Sequence, residues 1–227
     1  MRRWSFRDVG AVPVWVLAVV VLVLTVLVLG IHTPVRRAGT TGVALGPEGG
    51  QQVSAYLARA AAELPKAGGP YWALVSLRSE LEPAAAAAVP GDARVARAIL
   101  RVPIERVQTA QLPVDVADQG ELTRELTAAQ ALAGSRLQQL ADSETGRAAA
   151  VARVSAARLH SGCACVLALL VRGTAEQLRA IAGRPEVRGV QAAAADVPPQ
   201  YVALRALLPE QTAVVSPLPD DGAVPAP

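Results

Sequence analysis

The most conspicuous hydrophobic pattern in the chain is an apolar run near its N-terminus. Residues 12–31 contain no charged side chain, and a helix of about twenty apolar residues can cross a hydrocarbon core of roughly 30 Å. The run exceeds the apolar region of a cleaved signal peptide, and no small-x-small cleavage site follows it. The pattern predicts a transmembrane helix over residues 12–31, preceded by a short tail at residues 1–11.

Charges beside this run indicate its orientation. Three arginines and one aspartate precede it, and two arginines follow it closely, so the positive-inside bias is slight and the short N-terminal tail favours a cytoplasmic N-terminus. We expect a single-pass protein of the cell membrane. Residues 12–31 would contact the lipid bilayer, residues 1–11 would be cytoplasmic, and the C-terminal domain would be extracytoplasmic.

Four segments after the span have the pattern of strands. Residues 71–77 and 163–171 are apolar on both faces and bounded by turn residues, which is typical of central strands. Residues 94–104 alternate, which predicts a half-exposed strand. Pro103 cannot donate within a ladder, so we expect that strand at a sheet edge. Residues 187–192 alternate weakly and predict a short edge strand.

Helical spacing and capping signals predict three short helices. Apolar positions recur at helical spacing over residues 50–64. Ser79 and Glu82 stand three apart before an alanine run, as in a capping box that opens a helix. Thr174 and Gln177 repeat this arrangement before a last short helix.

The longest helical pattern covers residues 119–160. Leucines and alanines step by threes and fours along one stripe, but a continuous helix of this length would reach about 60 Å. We expect a break or bend near Asp142–Gly146, and a projecting helical arm is the alternative.

The order of these elements predicts an α+β fold. The predicted order is strand, helix, strand, long helix, strand, helix, strand. This order matches a ferredoxin-like split βαβ domain that has a four-stranded antiparallel sheet and a long helical insertion between strands 2 and 3. The domain is expected at residues 50–210. A Gly/Pro/Thr-containing stalk is expected at residues 32–49, and a disordered, proline-rich tail at residues 211–227.

Composition and charge exclude several function classes. The chain is 52% hydrophobic but only 3% aromatic, and 46 of its 227 residues are alanine, which favours helix more than it builds a core. Residues 32–227 contain 19 basic and 18 acidic residues, so their net charge is close to zero. Nucleic-acid partners are therefore not expected.

Signatures of catalysis are missing from the sequence. It has no G-x-S-x-G elbow, P-loop or G-x-G-x-x-G, and the Asp220–Asp221 pair falls in the expected tail, which cannot hold two carboxylates in a working geometry. Arg97 and Arg101 are interpreted as a solvated strand face. We expect a non-enzymatic protein with no catalytic residue and no cofactor.

One constellation could carry chemistry, namely His160, Cys163 and Cys165. An imidazole and two thiols could bind Cu(I) or Zn(II), although a structural zinc site needs a fourth ligand. Two cysteines of one strand point to the same face roughly 6–7 Å apart, too far for a disulfide without a bend. Oxidising surroundings favour the bridge, whereas strand geometry favours two buried thiols, which we predict.

Residues Gly173–Ala194 (GTAEQLRAIAGRPEVRGVQAAA) resemble the end of subtilisin-type propeptide and peptidase-inhibitor domains, and residues 71–77 resemble their opening strand. The resemblance implies a ferredoxin-like fold and a protease-regulatory activity, although the long helix departs from the family pattern. As a whole, the chain resembles single-pass envelope proteins of high-GC actinobacteria.

Together these patterns predict a membrane-anchored extracytoplasmic domain that binds a protein partner in the bacterial cell envelope. This partner would bind through the long helix or through an exposed sheet edge, and a homodimer formed through the long helix is the specific version of this prediction. A protease-regulatory domain and a thiol- or metal-binding module at His160, Cys163 and Cys165 are the alternatives.

Overall fold

The computed structural model describes residues 43–118, 120–194 and 202–226. The predicted cytoplasmic tail (1–11) and transmembrane helix (12–31) lie outside these residues. None of the helices within the described part of the chain combines the length and the apolarity that crossing a membrane requires.

The described residues form a mixed α+β domain. Its sheet has five antiparallel strands in the order β4-β3-β5-β2-β6, and a separate ribbon pairs β1 with β7 in parallel. The strands are β1 (Val43–Leu45), β2 (Tyr71–Leu81), β3 (Arg94–Leu100), β4 (Leu112–Asp115), β5 (Val166–Gly173), β6 (Val187–Ala192) and β7 (Val202–Leu204). The helices are α1 (Val53–Ala62), α2 (Pro83–Ala88), α3 (Leu122–Ser143), α4 (Gly146–His160) and α5 (Ala175–Ala182).

The two most hydrophobic strands, β2 and β5, are neighbours in the interior of the sheet, as their composition predicted. Leu74 pairs with Leu170, and both side chains are buried. Strands with apolar side chains on both faces need cover on both sides. β6 forms one edge of the sheet, also as predicted.

Different parts of the chain cover the two faces of the sheet. Alternate residues of β2, such as Ala73 and Val75, join a core that includes buried residues of α2, α3, α4 and α5. The intervening Trp72 and Leu74 join a second core with Leu45 of β1, Val202 of β7 and Ala206. The ribbon and the segment after it therefore cover the face that the helices leave open.

The strand β3 is not at a sheet edge, contrary to the prediction from Pro103. β3 ends at Leu100, and the unpredicted strand β4 pairs with its outer side. β4 forms the edge and contains Pro113. A proline is tolerated there because an edge strand need not donate on its outer side.

The capping signal at Ser79 was misleading. Strand β2 continues through Leu81, and Glu82 lies at the N-cap of α2, with Pro83 in the first turn. The equivalent signal at Thr174 was correct, because its hydroxyl accepts from the Gln177 backbone amide while the Gln177 side chain accepts from the Thr174 amide. β2 pairs with β5 up to Ser76 and again at Leu81, with an irregularity between them, so the strand extends through Ser79 and overrides its local preference.

The helical region 119–160 is not one long helix. α3 ends at Ser143, and α4 begins at Gly146, whose φ is +61°. Gln130 of α3 contacts Leu159 at the other end of α4, so the two helices form an antiparallel hairpin. The break lies where a turn within Asp142–Gly146 was expected. Folding back lets the apolar stripe pack against the sheet.

The terminal segments also differ from their predicted roles. Residues 43–49 of the predicted stalk (32–49) include β1, and residues 211–226 of the predicted disordered tail (211–227) pack against the domain. The Gly50 amide donates to the Val215 carbonyl (2.8 Å), and the Val53 amide donates to the Ala213 carbonyl (2.9 Å). Val215 is buried beside Tyr56 in a small third core, so burial of apolar surface orders this segment.

Candidate functional site

The predicted His160–Cys163–Cys165 constellation lies between the end of α4 and the start of β5. Cys163 and Cys165 form a disulfide with their Cα atoms 5.3 Å apart, so the prediction of two buried, reduced thiols was wrong. β5 begins only at Val166. Gly162, with φ +85°, turns the chain before the pair, and this turn removes the strand geometry that would have held the sulfurs apart.

The His160 side chain packs against α3 and does not form a metal-binding cluster with the two cysteines. Its ring packs so closely on Gly134 of α3 that a Cβ there would come within 3 Å of the imidazole. The buried Gln130 amide donates to the Leu159 carbonyl (3.3 Å) and the Cys163 carbonyl (3.1 Å). Disulfide sulfurs are not the thiolates that a soft metal needs. Within the described residues, no group of three or more His, Cys, Asp or Glu side chains could hold a metal ion.

A second candidate site is a cavity of about 420 Å³ at the end of the α3–α4 hairpin that lies away from the disulfide. It lies between α3, α4, the segment before β4 and the C-terminal segment, which comprises residues 211–226. Such a volume is within the range of small-molecule sites. Its walls are mainly apolar, and they comprise Val102, Gln108, Thr109, Ala110, Leu112, Leu137, Leu140, Arg147, Ala148, Val151, Ala152, Ser155 and Asp220.

Two polar groups of α4 mark the ends of this cavity. Ser155 is 3% exposed, and its hydroxyl has no hydrogen-bond partner among the described residues. Arg147 lies one residue into the helix, and 41% of its side chain is exposed. The cavity therefore extends from an exposed cation to a buried hydroxyl.

The C-terminal segment closes one side of the cavity through ion pairs. The Arg147 guanidinium donates to Asp220 Oδ1 (2.9 Å) and to the Gly222 carbonyl (2.9 Å). The bond from Arg147 to Asp220 and the bond from the Gln108 backbone amide lower the pKa of Asp220, and the bond from Arg106 lowers the pKa of Asp221. The two carboxylates thus anchor the C-terminal segment, although the sequence predicted that this tail could not hold them in a fixed geometry.

A buried ion cluster lies beneath the same segment. Arg101 was interpreted as part of a solvated face, but it is 1% exposed. Its guanidinium donates to Glu80 (2.8 Å) and forms a bidentate pair with Glu210 (3.0 and 2.9 Å). Burial raises the pKa of Glu80, although Arg101 opposes this shift. Because Glu210 precedes the C-terminal segment, the cluster ties that segment to the sheet.

Ser155 and Arg147 were not predicted from the sequence as site residues. Because they are eight residues apart, they lie near one side of α4 together with Ala148 and Ala152. This stripe of small and polar residues was the sequence signal that could have indicated the site. Comparison with protein-family models, curated proteins and solved structures finds no match to this chain.

Proposed function

We propose that the chain is a non-enzymatic, membrane-anchored extracytoplasmic domain of the bacterial cell envelope that binds a protein partner through α3. A second copy of the chain is the specific partner that this proposal tests first. The anchor is the apolar segment 12–31.

The proposal is based on the solvent-exposed face of α3. Leu132 is 46% exposed, and it lies near Ala128 and Ser135, which are also exposed. Positions three and four apart share one face of a helix. Ala128 and Ser135 are small enough to let a second helix approach Leu132 closely from one side, while the exposed Arg136 lies on its other side.

The disulfide supports the extracytoplasmic location. Bridges persist in oxidising compartments and are rare in the reducing cytosol. The Cys163–Cys165 bridge therefore fits a domain beyond the membrane, as the predicted orientation of the span requires.

We further propose that the sheet contains a ferredoxin-like split βαβ core. The strand order β3-β5-β2-β6 supports this fold, because the first and third strands of the motif occupy the inner positions. In this interpretation β4 and the α3–α4 hairpin are the insertion between the second and third strands, and the β1–β7 ribbon is a further addition.

Light scattering on the full chain in detergent, over a range of concentrations, tests the proposed contact. We expect a dimer that Leu132→Arg converts to a monomer. Gln138→Arg adds the same charge at an exposed position of α3 on a different side of the helix, so this control should remain dimeric.

A chain that is monomeric at every concentration, and that forms no Leu132-dependent cross-link to another protein in intact envelopes, would contradict the proposal. Equal dissociation by both variants would place the contact elsewhere than on this face of α3.

A further inference from the structure

The cavity at the α3–α4 hairpin has the features of a ligand site that the proposed protein contact does not use. Its floor and walls are formed by apolar side chains such as Val102, Leu112, Leu137 and Val151. Ala148 and Ala152 on α4 are small enough to leave the space open. A predominantly apolar cavity with few, separated polar groups is typical of small-molecule sites.

The buried end of the cavity carries an unpaired polar group. Ser155 Oγ is buried and forms no hydrogen bond among the described residues. A buried hydroxyl without a partner is unfavourable, and native structures pair most such groups. An oxygen atom of a bound molecule would supply the missing partner.

The exposed end carries a cation. Arg147 and Ser155 are eight residues apart on α4, which corresponds to about 12 Å along the helix axis. The Arg147 guanidinium already binds one carboxylate, that of Asp220, so its geometry suits an anionic oxygen. Asp220 belongs to an exposed segment, and another carboxylate could replace it.

We propose that this cavity binds an oxygenated fatty acid or a molecule of the same chemistry. Its carboxylate would pair with Arg147 in place of Asp220, its apolar chain would lie against α3 and α4, and an oxygen at its far end would hydrogen-bond to Ser155. The inference is independent of the proposed contact at Leu132.

The test uses the full chain in phospholipid nanodiscs and a photoreactive decanoate, with the labelled residues mapped by mass spectrometry. Unlabelled ω-hydroxydecanoate and decanoate then compete with the probe. We expect saturable labelling of the cavity walls and about tenfold better competition by the hydroxy acid, a factor that corresponds to about 1.4 kcal/mol.

Three variants separate the contributions of the polar groups. Ser155→Ala should remove the advantage of the hydroxy acid, and comparing the ratio between variants cancels the partitioning of each acid into lipid. Arg147→Gln should weaken competition by both acids but not by the methyl ester of decanoate. Asp220→Asn should strengthen competition by both acids, because it removes the internal competitor.

Filling the cavity supplies the decisive control. Ala152→Leu should abolish labelling of the cavity walls. Ala148→Leu should have the same effect, and because Ala148 is exposed this substitution disturbs folding less. Ala157→Leu makes the same change at an exposed position of α4 outside the cavity and should label normally. Non-saturable labelling, labelling unchanged by either filled cavity, or an equal preference for both acids in the original chain would overturn the proposal.

Discussion

At the scale of single residues, Arg101 shows how burial changes the role of a charge. An exposed ion pair contributes little because water screens it, whereas a buried charge needs partners to offset its desolvation. Arg101 has three hydrogen bonds to two carboxylates. Glu80 is 10% exposed, whereas Glu210 is 45% exposed. Loss of the arginine would therefore affect Glu80 most.

Arg101→Met should destabilise the domain by about 3 kcal/mol, because Glu80 would keep a buried charge without a partner. Urea unfolding, followed by the fluorescence of Trp72 with the other two tryptophans replaced by phenylalanine, measures this loss. Arg94→Met is the matched control, since its pair with Asp118 is exposed and should contribute less than about 1 kcal/mol.

The loss in Arg101→Met should become smaller as the pH falls, because protonation neutralises Glu80. Burial already raises the pKa of Glu80 in the native protein, so this carboxyl favours the folded state at low pH and loses that contribution as the pH rises through its raised pKa. A loss that is the same at every pH would show that the missing charge partner is not its cause.

At the scale of elements, the C-terminal segment is held by carboxylates that respond to pH. Asp220 pairs with Arg147, Asp221 pairs with Arg106, and the Gly222 amide donates to the Arg106 carbonyl (2.7 Å). Both aspartates have lowered pKa values. Their contribution to folding is therefore present above the ordinary aspartate pKa and is lost as the pH falls through the lowered values.

We expect the Gly222 amide to lose protection as the pH falls from about 5 through the ordinary aspartate pKa of about 3.9 and the lowered values below it. Hydrogen exchange, corrected for the intrinsic rate at each pH, measures this change. Asp221→Asn should reduce protection already at the higher pH, whereas Asp118→Asn removes a similarly exposed pair elsewhere in the domain and should not. Protection that does not depend on pH would show that the carboxylates do not hold the segment.

At the scale of the whole molecule, the sheet needs cover on both faces, and the chain supplies it from distant segments. The helices cover one face, while β1, β7 and the residues after β7 cover the other. The C-terminal segment adds Val215, which packs with Val53, Tyr56 and Leu207. The stability of the domain consequently depends on residues 211–226, although their proline-rich composition is typical of a disordered tail.

A chain that ends at Glu210 should be less stable by about 3 kcal/mol or more, because it loses the buried Val215 and the hydrogen bonds to Gly50 and Val53. The same Trp72 unfolding measurement tests this. Deleting residues 225–227 is the control and should have little effect, because Pro225 and Ala226 are exposed. Equal stability of the two truncated chains would support the original expectation of a disordered tail.

Local patterns predicted several elements correctly. β2, β5 and β6 were recognised because apolar residues occupy their faces continuously or in alternation, and the cap of α5 was recognised because Thr174 and Gln177 bond within one turn. Such signals depend on neighbours along the chain, so the sequence contains them directly.

The errors concern features that distant residues decide. The capping signal at Ser79 was wrong because β2 pairs with β5 on both sides of it, at Ser76 and Leu81, and Pro113 lies in a strand because β3 pairs with it. The candidate cavity could not be predicted either, since Ser155, Arg147 and Asp220 come together only when the hairpin folds back and the C-terminal segment docks.

The sequence by itself determined the strongly hydrophobic strands, the helical stripe of residues 119–160 and the near-neutral charge of the domain. Only the tertiary structure decided that the stripe folds into a hairpin, that Cys163 and Cys165 form a bridge at a turn, and that the proline-rich end packs on the domain. The physical reason is that periodicity reports which faces are apolar, whereas the partner of each face is selected by packing between segments far apart in the chain.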